Sequence, residues 1–196
     1  MIKRCFDILL ASIGLVLTVP VFVLLAICIP LESKGPILFQ QKRVGQYGKL
    51  FTIYKFRTMW VNLNPRVNVT SNHDKRITKI GVWLRQTKLD ELPQLINVLI
   101  GNMSLVGPRP EVPEYMARYK PNDRDIMLSV KPGITDLASI KFRHEGAILA
   151  QYEDTEWAYF EKIIPKKMAY TRFYVKKRGF CFDLWLIIWT IRAIFS

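Results

Sequence analysis

Two adjacent carboxylates, Asp90 and Glu91, stand just before Pro93 in a strongly basic stretch of the sequence. Residues 42–109 contain twelve Lys and Arg but only three Asp and Glu, and the pair supplies two of these acids. A carboxylate kept ionised by nearby cations can attack an electrophile, and a divalent cation can join it to substrate phosphates. These residue types therefore allow nucleophilic chemistry on a phosphorylated substrate.

The same pair also fits an ordinary helix start. Acidic residues in a first turn interact well with the free N–H groups, Thr87 with Asp90 resembles a weak capping box, and Pro93 is acceptable there. Adjacent helical residues point about 100° apart, so Asp90 and Glu91 need not share a site. Spacing alone favours capping.

Cations near the pair come from a predicted β-hairpin and a predicted turn. "ILFQQKR" and "LFTIYKFR" flank "VGQYG", and in the second strand Lys55 and Arg57 project together, spaced to meet one anion. A solvated edge strand with protective lysines has the same pattern. In "GPRP", two prolines stiffen the backbone around Arg109, which suits bidentate phosphate binding, although a surface turn with an incidental Arg is the alternative.

The N-terminal segment contains 24 uncharged residues, 8–31, enough to cross a bilayer as a helix. The run is longer than a signal-peptide core, and Glu32 and Lys34 follow it instead of a cleavage site, which favours a retained anchor. Basic residues flank both ends, and Pro20 removes a helical hydrogen bond near the middle. A helix that enters and leaves on one face fits both flanks; a kinked spanning helix is the alternative.

Length and composition indicate the number of domains and the class of partner. The 196 residues fit one domain, and a net charge of +13 favours an anionic partner: nucleic acid, acidic lipid or a phosphorylated substrate. Three cysteines without metal-type spacing predict reduced thiols.

Local patterns predict a loop at residues 60–79 and a helix at residues 92–100. The C-terminal run, with Trp185 and Trp189 one turn apart, fits a helix in the headgroup layer or a core-packed helix.

The stretch "LDELPQLINVLIGNMSLVGPRPE" closely resembles the signature of bacterial sugar transferases, the monotopic phosphoglycosyl transferases. The resemblance covers nearly the whole chain through "KRCFD", "FQQKRVGQYGKLFTIYKFRTM", "RITKIGVWLR", "KPGIT" and "DLWLIIWTI". Such an ordered series of motifs is far more specific than one short pattern. It implies transfer of a sugar 1-phosphate from a nucleotide sugar, expected to be a UDP-sugar, to undecaprenyl (polyprenyl) phosphate. UMP is then released in the first membrane step of surface glycan assembly, such as exopolysaccharide or lipopolysaccharide.

The resemblance also assigns roles to residues. Asp90 matches the nucleophile that forms a covalent phosphosugar–aspartyl enzyme, and Glu91 matches its assisting neighbour. Mg²⁺ is the expected cofactor, with Asp90 near it. Substrate phosphates are expected to meet basic side chains at Lys55, Arg57, Arg85 and Arg109, of which Arg57 is the weakest match.

The fold implied by the resemblance is α+β and helix-rich, a monotopic membrane protein in its minimal catalytic-core form. A re-entrant helix hairpin is expected at residues 1–34, broken near Pro20, where the family's usual preceding serine is replaced. A catalytic domain with a small β-hairpin follows at 35–179 and an interfacial helix at 180–196, all in one integrated domain. The expected location is the cytoplasmic face of the bacterial inner membrane, with no nucleic-acid partner; the oligomeric state, a homo-oligomer included, stays open.

Asp136 stands where the family usually has Gly, and the following "SIKFRHEGAIL" also departs from its pattern, so the donor sugar stays open. Two rival classes are a non-enzymatic surface protein binding anionic lipid or RNA, and a CDP-alcohol type phosphotransferase. The first leaves the carboxylate pair unused. The second needs a spaced Asp-rich motif with Gly, which the sequence lacks, and several spanning helices.

Overall fold

The computed structural model describes residues 2–61 and 74–195, and these form a helix-rich α+β arrangement. The helices are α1 (Ile2–Glu32), α2 (Lys79–Thr87), α3 (Gln94–Ile100), α4 (Pro113–Met116), α5 (Pro121–Leu128), α6 (Leu137–Lys141), α7 (Glu145–Leu149), α8 (Thr155–Ala158), α9 (Ile164–Lys177) and α10 (Phe180–Phe195). The strands are β1 (Leu38–Val44), β2 (Leu50–Phe56), β3 (Ser104–Val106) and β4 (Gly133–Thr135). Most of the loop predicted at 60–79, namely residues 62–73, lies outside the described residues.

The predicted β-hairpin is confirmed. Strands β1 and β2 pair antiparallel from Leu38↔Phe56 to Val44↔Leu50, and their alternation buries one face against α3. Asn97 of α3 fixes this packing, because its side-chain amide accepts from the N–H of Tyr54 at 3.1 Å and donates to the carbonyl of Thr52 at 2.7 Å. The fully buried amide thereby holds the middle of α3 beside β2.

Helix α1 is long and apolar enough to cross a membrane by length and composition. It continues through Pro20, so the predicted break at this residue is not confirmed. Both of its ends bind polar groups of the rest of the chain. Near the start, the Asp7 carboxylate accepts from Ser104 Oγ at 2.9 Å, and at the end the Glu32 carboxylate accepts from the N–H groups of Lys79 and Ile80 at 2.7 and 2.9 Å.

The C-terminal helix α10 packs on the core along one face, as one of the two alternatives predicted from its sequence expects. Leu186 is fully buried in a cluster with Val106 and Tyr174, whereas Trp185 and Ile188 are exposed on the other face. A row of exposed apolar side chains continues along α1: Leu9, Ile13, Val16, Leu17, Val23 and Leu24. The helix thus packs on the core and also presents an apolar surface.

The two short strands β3 and β4 run parallel, and their pairing brings Gly107 against Gly133. A Cβ atom added at Gly133 would lie 2.1 Å from the backbone nitrogen of Gly107, so the approach requires glycine. This contact fixes the start of the 107–111 segment, which contains Arg109.

Candidate active site

Asp90 and Glu91 lie in a short 3₁₀ turn, Leu89–Glu91, between α2 and α3. Lys88, with a φ of 60°, ends α2 and reverses the chain into this turn. Both carboxylate residues point inward and are only 8% exposed. Both acids lie in the first turn of this 3₁₀ helix, as the helix-start interpretation expects, but the capping box is not formed, because the Thr87 hydroxyl donates to carbonyls of α2 and Asp90 Oδ1 has no hydrogen-bond partner among the described residues.

Glu91 is the centre of an ion-pair network. Its Oε1 accepts from Lys55 Nζ at 3.0 Å and from Arg109 Nη2 at 2.8 Å. Burial alone would raise the pKa of Glu91, but Arg109 and Lys55 outweigh it and hold that pKa well below the usual range. Glu91 therefore stays ionised and positions two cations that the sequence separates by 54 positions.

Asp90 has a different environment from its neighbour. Its Oδ1 atom is buried without a hydrogen-bond partner among the described residues. Burial, followed by the adjacent Glu91 charge, raises the pKa of Asp90, while Lys55, Lys88 and Arg85 oppose the rise. Two adjacent carboxylates are thus separated in role: Glu91 is committed to cations, and Asp90 keeps a free oxygen.

The two cations of the network differ in solvent access. The Lys55 side chain is 15% exposed and that of Arg109 is 37% exposed, so Arg109 faces the open side of the site. Burial lowers the pKa of Lys55 to about 8, with Glu91 opposing and Arg109 reinforcing the shift. The Glu91 charge raises the pKa of Arg109, which stays protonated.

Arg85 approaches the pair from the last turn of α2. Its Nε donates to Thr58 Oγ1 at 2.9 Å, and no other hydrogen bond to it is formed by the part of the chain that the structure describes. Helix α2 can lie this close to Thr58 because residue 81 is a glycine. A Cβ atom at this position would lie 2.1 Å from the Thr58 carbonyl oxygen. The terminal nitrogens of Arg85 are therefore available to an anionic ligand.

Arg57 does not join the site, and the prediction that it meets one anion together with Lys55 is wrong. Its guanidinium Nε donates to the Pro36 carbonyl at 2.6 Å, and Nη2 donates to the Ser33 carbonyl at 2.6 Å. Arg57 follows the end of β2, where the chain turns it toward the segment after α1. It is a structural residue whose donors are used by backbone carbonyls.

Sequence reasoning missed two residues that hold the Pro-Arg-Pro turn. Arg43 of β1 donates from Nη1 to the Pro110 carbonyl at 3.0 Å, and Asp136 accepts from the backbone N–H of Arg109 at 3.3 Å. Alternation along β1 places Arg43 on the same sheet face as Lys55, so the pairing register could have indicated it. Nothing in the local sequence predicts the Asp136 contact, which spans 27 positions.

The site fits a divalent cation that is shared with a ligand. Within residues 2–61 and 74–195, no group of three or more His, Cys, Asp and Glu could form a self-contained metal site. Asp90 Oδ1 is a buried carboxylate oxygen without a partner, which is the oxygen donor that Mg²⁺ prefers. Mg²⁺ is commonly held by one or two carboxylates together with waters and substrate phosphates, and a single protein ligand suits that mode.

The site therefore combines an unpaired buried carboxylate, Asp90, with a neighbouring ion-pair network whose partly exposed cation is Arg109, an arrangement that suits an anionic ligand. The sequence pattern of the family described as "Bacterial sugar transferase" matches residues 1–196. The chain therefore belongs to the bacterial sugar transferase family.

Three relatives show how far the similarity extends. The chain is 38% identical over 195 residues (97% of this chain, 39% of the relative) to UDP-glucose:undecaprenyl-phosphate glucose-1-phosphate transferase of Escherichia coli K12. It is 35% identical over 201 residues (100% of this chain, 44% of the relative) to UDP-N-acetylgalactosamine-undecaprenyl-phosphate N-acetylgalactosaminephosphotransferase of Aeromonas hydrophila. It is 38% identical over 160 residues (74% and 33%) to undecaprenyl-phosphate galactose phosphotransferase of Salmonella typhimurium. The chain spans less than half the length of these three relatives.

Proposed function

We propose that this chain transfers a sugar 1-phosphate from a UDP-sugar to undecaprenyl phosphate and releases UMP. The observation that carries this proposal is the unpaired, buried Asp90 carboxylate beside the Lys55–Glu91–Arg109 network. The names of the three relatives support the substrate class, since each contains undecaprenyl phosphate. The relatives name glucose, N-acetylgalactosamine and galactose, so family membership leaves the sugar open.

In the first step, an Asp90 oxygen attacks the sugar-bearing phosphorus of the donor. The bond between that phosphorus and the bridging oxygen breaks, UMP leaves with the electron pair, and a phosphosugar–aspartyl enzyme forms. The network supports this step because Arg109 and Arg85 can bind phosphate oxygens while Glu91 keeps Arg109 and Lys55 in place. A bound Mg²⁺ would neutralise phosphate charge and favour the ionised form of Asp90.

In the second step, a phosphate oxygen of the lipid attacks the same phosphorus. The bond to Asp90 breaks, and the carboxylate is regenerated together with the polyprenyl diphosphate sugar. The acceptor is already an anion, so the step needs positioning and charge stabilisation more than a strong base. This requirement matches a site that is rich in fixed cations.

The test of the proposed function is transfer from a panel of sugar-radiolabelled nucleotide sugars to undecaprenyl phosphate in Mg²⁺ buffer. We expect one or more UDP-sugars to give labelled lipid together with an equal amount of UMP. The rival, a surface protein that binds anionic lipid or RNA, predicts salt-sensitive binding without turnover. Absence of label transfer from every donor, by protein that is folded and membrane-bound, would refute the proposal.

The proposed location is the cytoplasmic face of the bacterial inner membrane, with both ends of α1 on that side. A spanning helix would place its ends on opposite sides of a hydrocarbon core about 30 Å thick. In this chain Asp7 and Glu32 both bind polar backbone groups of the domain that contains the site, which supports a monotopic arrangement. The two-helix hairpin within α1 stays a prediction.

Cysteine labelling tests this arrangement. In a background without Cys5, Cys28 and Cys181, we expect Ile2→Cys and Lys34→Cys to react with an impermeant maleimide only from the cytoplasmic side. Both positions are exposed and lie at opposite ends of α1. Labelling of Ile2→Cys from outside intact cells, with Lys34→Cys protected, would establish a spanning helix instead.

The low pKa of Lys55 predicts that kcat/KM falls on the alkaline side of the pH profile, and this fall is called the alkaline limb. Since burial lowers this pKa to about 8, the ammonium loses its charge as the pH rises through that value. We therefore expect kcat/KM, measured at saturating lipid, to fall above pH ~8 because the free enzyme loses a cation next to the phosphate site. Lys55→Arg should shift this limb to higher pH, whereas Lys42→Arg, at an exposed position of β1, should leave it in place. An unchanged limb in Lys55→Arg would assign it to another group.

A further inference from the structure

The Pro-Arg-Pro turn is held from two sides by neighbouring backbone and side chains. On the β4 side, Gly107 N–H donates to the Thr135 carbonyl at 3.0 Å, and the Pro108 carbonyl accepts from Gly133 N–H at 3.0 Å. On the β1 side, the Pro110 carbonyl accepts from Arg43, and the Glu111 carbonyl accepts from Val44 N–H at 2.9 Å. Arg109 lies between these two sets of contacts, and the carbonyl of its own peptide unit, that of Pro108, belongs to the first set.

The prolines themselves do not complete this restraint. Each proline fixes its own φ, and Pro110 also disfavours helical backbone at Arg109. The peptide unit that joins Pro108 to Arg109 is planar, so the bond from Gly133 N–H to the Pro108 carbonyl restrains one side of it and a partner for the Arg109 N–H is needed to restrain the other. The N–H group donates to Asp136 Oδ2 at 3.3 Å, which makes Asp136 the side chain that restrains this peptide.

Asp136 is placed to do this by its own surroundings. It directly follows β4 and is 4% exposed, and its other oxygen, Oδ1, accepts from Ser139 N–H as the N-cap of α6. One carboxylate therefore uses its two oxygens for two different backbone groups. A side chain with a single acceptor oxygen cannot satisfy both in this geometry.

We infer that Asp136 is a positioning residue that acts through Arg109, a role that rests on the proposed function. By holding the Arg109 peptide, it keeps the guanidinium at 2.8 Å from Glu91 Oε1 and directed at the open side of the site. Small misplacements of a charged group in a transfer site cost rate, because charge stabilisation depends on fixed geometry. The chain thereby uses a carboxylate outside the reacting pair to orient its most exposed site cation.

Asp136→Ser separates this role from simple helix capping. Serine is a good N-cap and keeps one acceptor for Ser139, but it leaves the Arg109 N–H without its partner. We expect kcat/KM to fall about tenfold, the size of a lost hydrogen bond to a charged group. The matched control is Asp154→Ser, which makes the same change at the N-cap of α8, where Asp154 accepts from Trp157 N–H at 2.8 Å. This control should keep full activity.

A double-mutant cycle with Arg109→Ala decides whether the effect passes through Arg109. We expect Asp136→Ser to change kcat/KM by less than about twofold in the Arg109→Ala background, because its target is absent. The affinity for UDP in Mg²⁺ buffer provides the same cycle without turnover. An equal loss in both backgrounds, or no loss in the parent chain, would overturn the inference while leaving the proposed function intact. A parent chain without turnover or UDP affinity would refute both.

Discussion

Asp90→Asn is expected to abolish both UMP release and labelling of the enzyme by a UDP-sugar that is radiolabelled in the sugar. Asparagine has nearly the same shape but cannot act as the carboxylate nucleophile, so the loss should be on the order of 10⁴-fold or more. The parent chain, incubated with donor alone, should release up to one UMP per site and retain the labelled sugar phosphate on the protein. An acyl phosphate at Asp90 should release this label on treatment with hydroxylamine.

The stability of Asp90→Asn should change in the opposite direction. Asp90 Oδ1 is buried without a partner, and burial raises the pKa of this carboxyl, so ionised Asp90 costs folding free energy. Replacing it by a neutral amide should leave the melting temperature unchanged or higher. Asp123→Asn is the matched control, since Asp123 is equally buried but paired with Arg172, and it should lose stability while keeping activity. Near-normal turnover by Asp90→Asn would rule out the covalent mechanism.

The carboxylate pair shows how far sequence alone could go. Residue types and resemblance pointed to Asp90 and Glu91, but their spacing favoured a capped helix start. The structure adds contacts that no spacing rule contains: Thr87 donates to an α2 carbonyl, and Glu91 binds Lys55 and Arg109. These partners come from different elements, so their convergence depends on tertiary packing.

Local patterns predicted the hairpin and the helix ending at Gly101, because alternation and a glycine with positive φ are local signals. The same reasoning failed for Arg57. Alternation in β2 correctly places Lys55, but the strand ends at Phe56, and Arg57 then turns to the Ser33 and Pro36 carbonyls. Alternation predicts the direction of a side chain only within the strand. Because β2 ends one residue before Arg57, alternation gives the wrong direction for this side chain.

Helix α1 shows that an apolar run in a sequence does not identify which of its residues pack against the protein and which stay exposed. Ala11, Leu25 and Ile29 are buried against the domain, while other apolar residues of the same helix are exposed. Its polar ends also bear on the site, because Glu32 caps α2, the helix that contains Arg85, and Asp7 binds β3 just before the Arg109 segment. Helix α1 is therefore part of the scaffold that positions two of the site cations.

After the loss of Asp90, the loss of Arg109 should have the next largest effect on activity. It donates to both oxygens of Glu91, from Nη2 at 2.8 Å and from Nη1 at 3.4 Å, and it is the partly exposed member of the network. Lysine cannot reproduce this two-nitrogen geometry, so Arg109→Lys is not a conservative change. We expect kcat to fall about 10²-fold in Arg109→Lys and up to about 10³-fold in Arg109→Ala, as for loss of a charge-stabilising donor.

The pH dependence of Arg109→Ala distinguishes a site role from general loss of basic charge. Arg109 is the largest influence opposing the effect of burial on the pKa of Glu91, so its removal should raise that pKa. Residual activity should then fall toward acid pH as Glu91 becomes protonated and releases Lys55, whereas the parent chain should show no such limb from Glu91. Arg118→Ala, which removes an exposed cation paired with Glu156, should change neither kcat nor the profile. If Arg109→Ala kept the acid profile of the parent chain, the coupling of Arg109 to Glu91 would have no part in turnover.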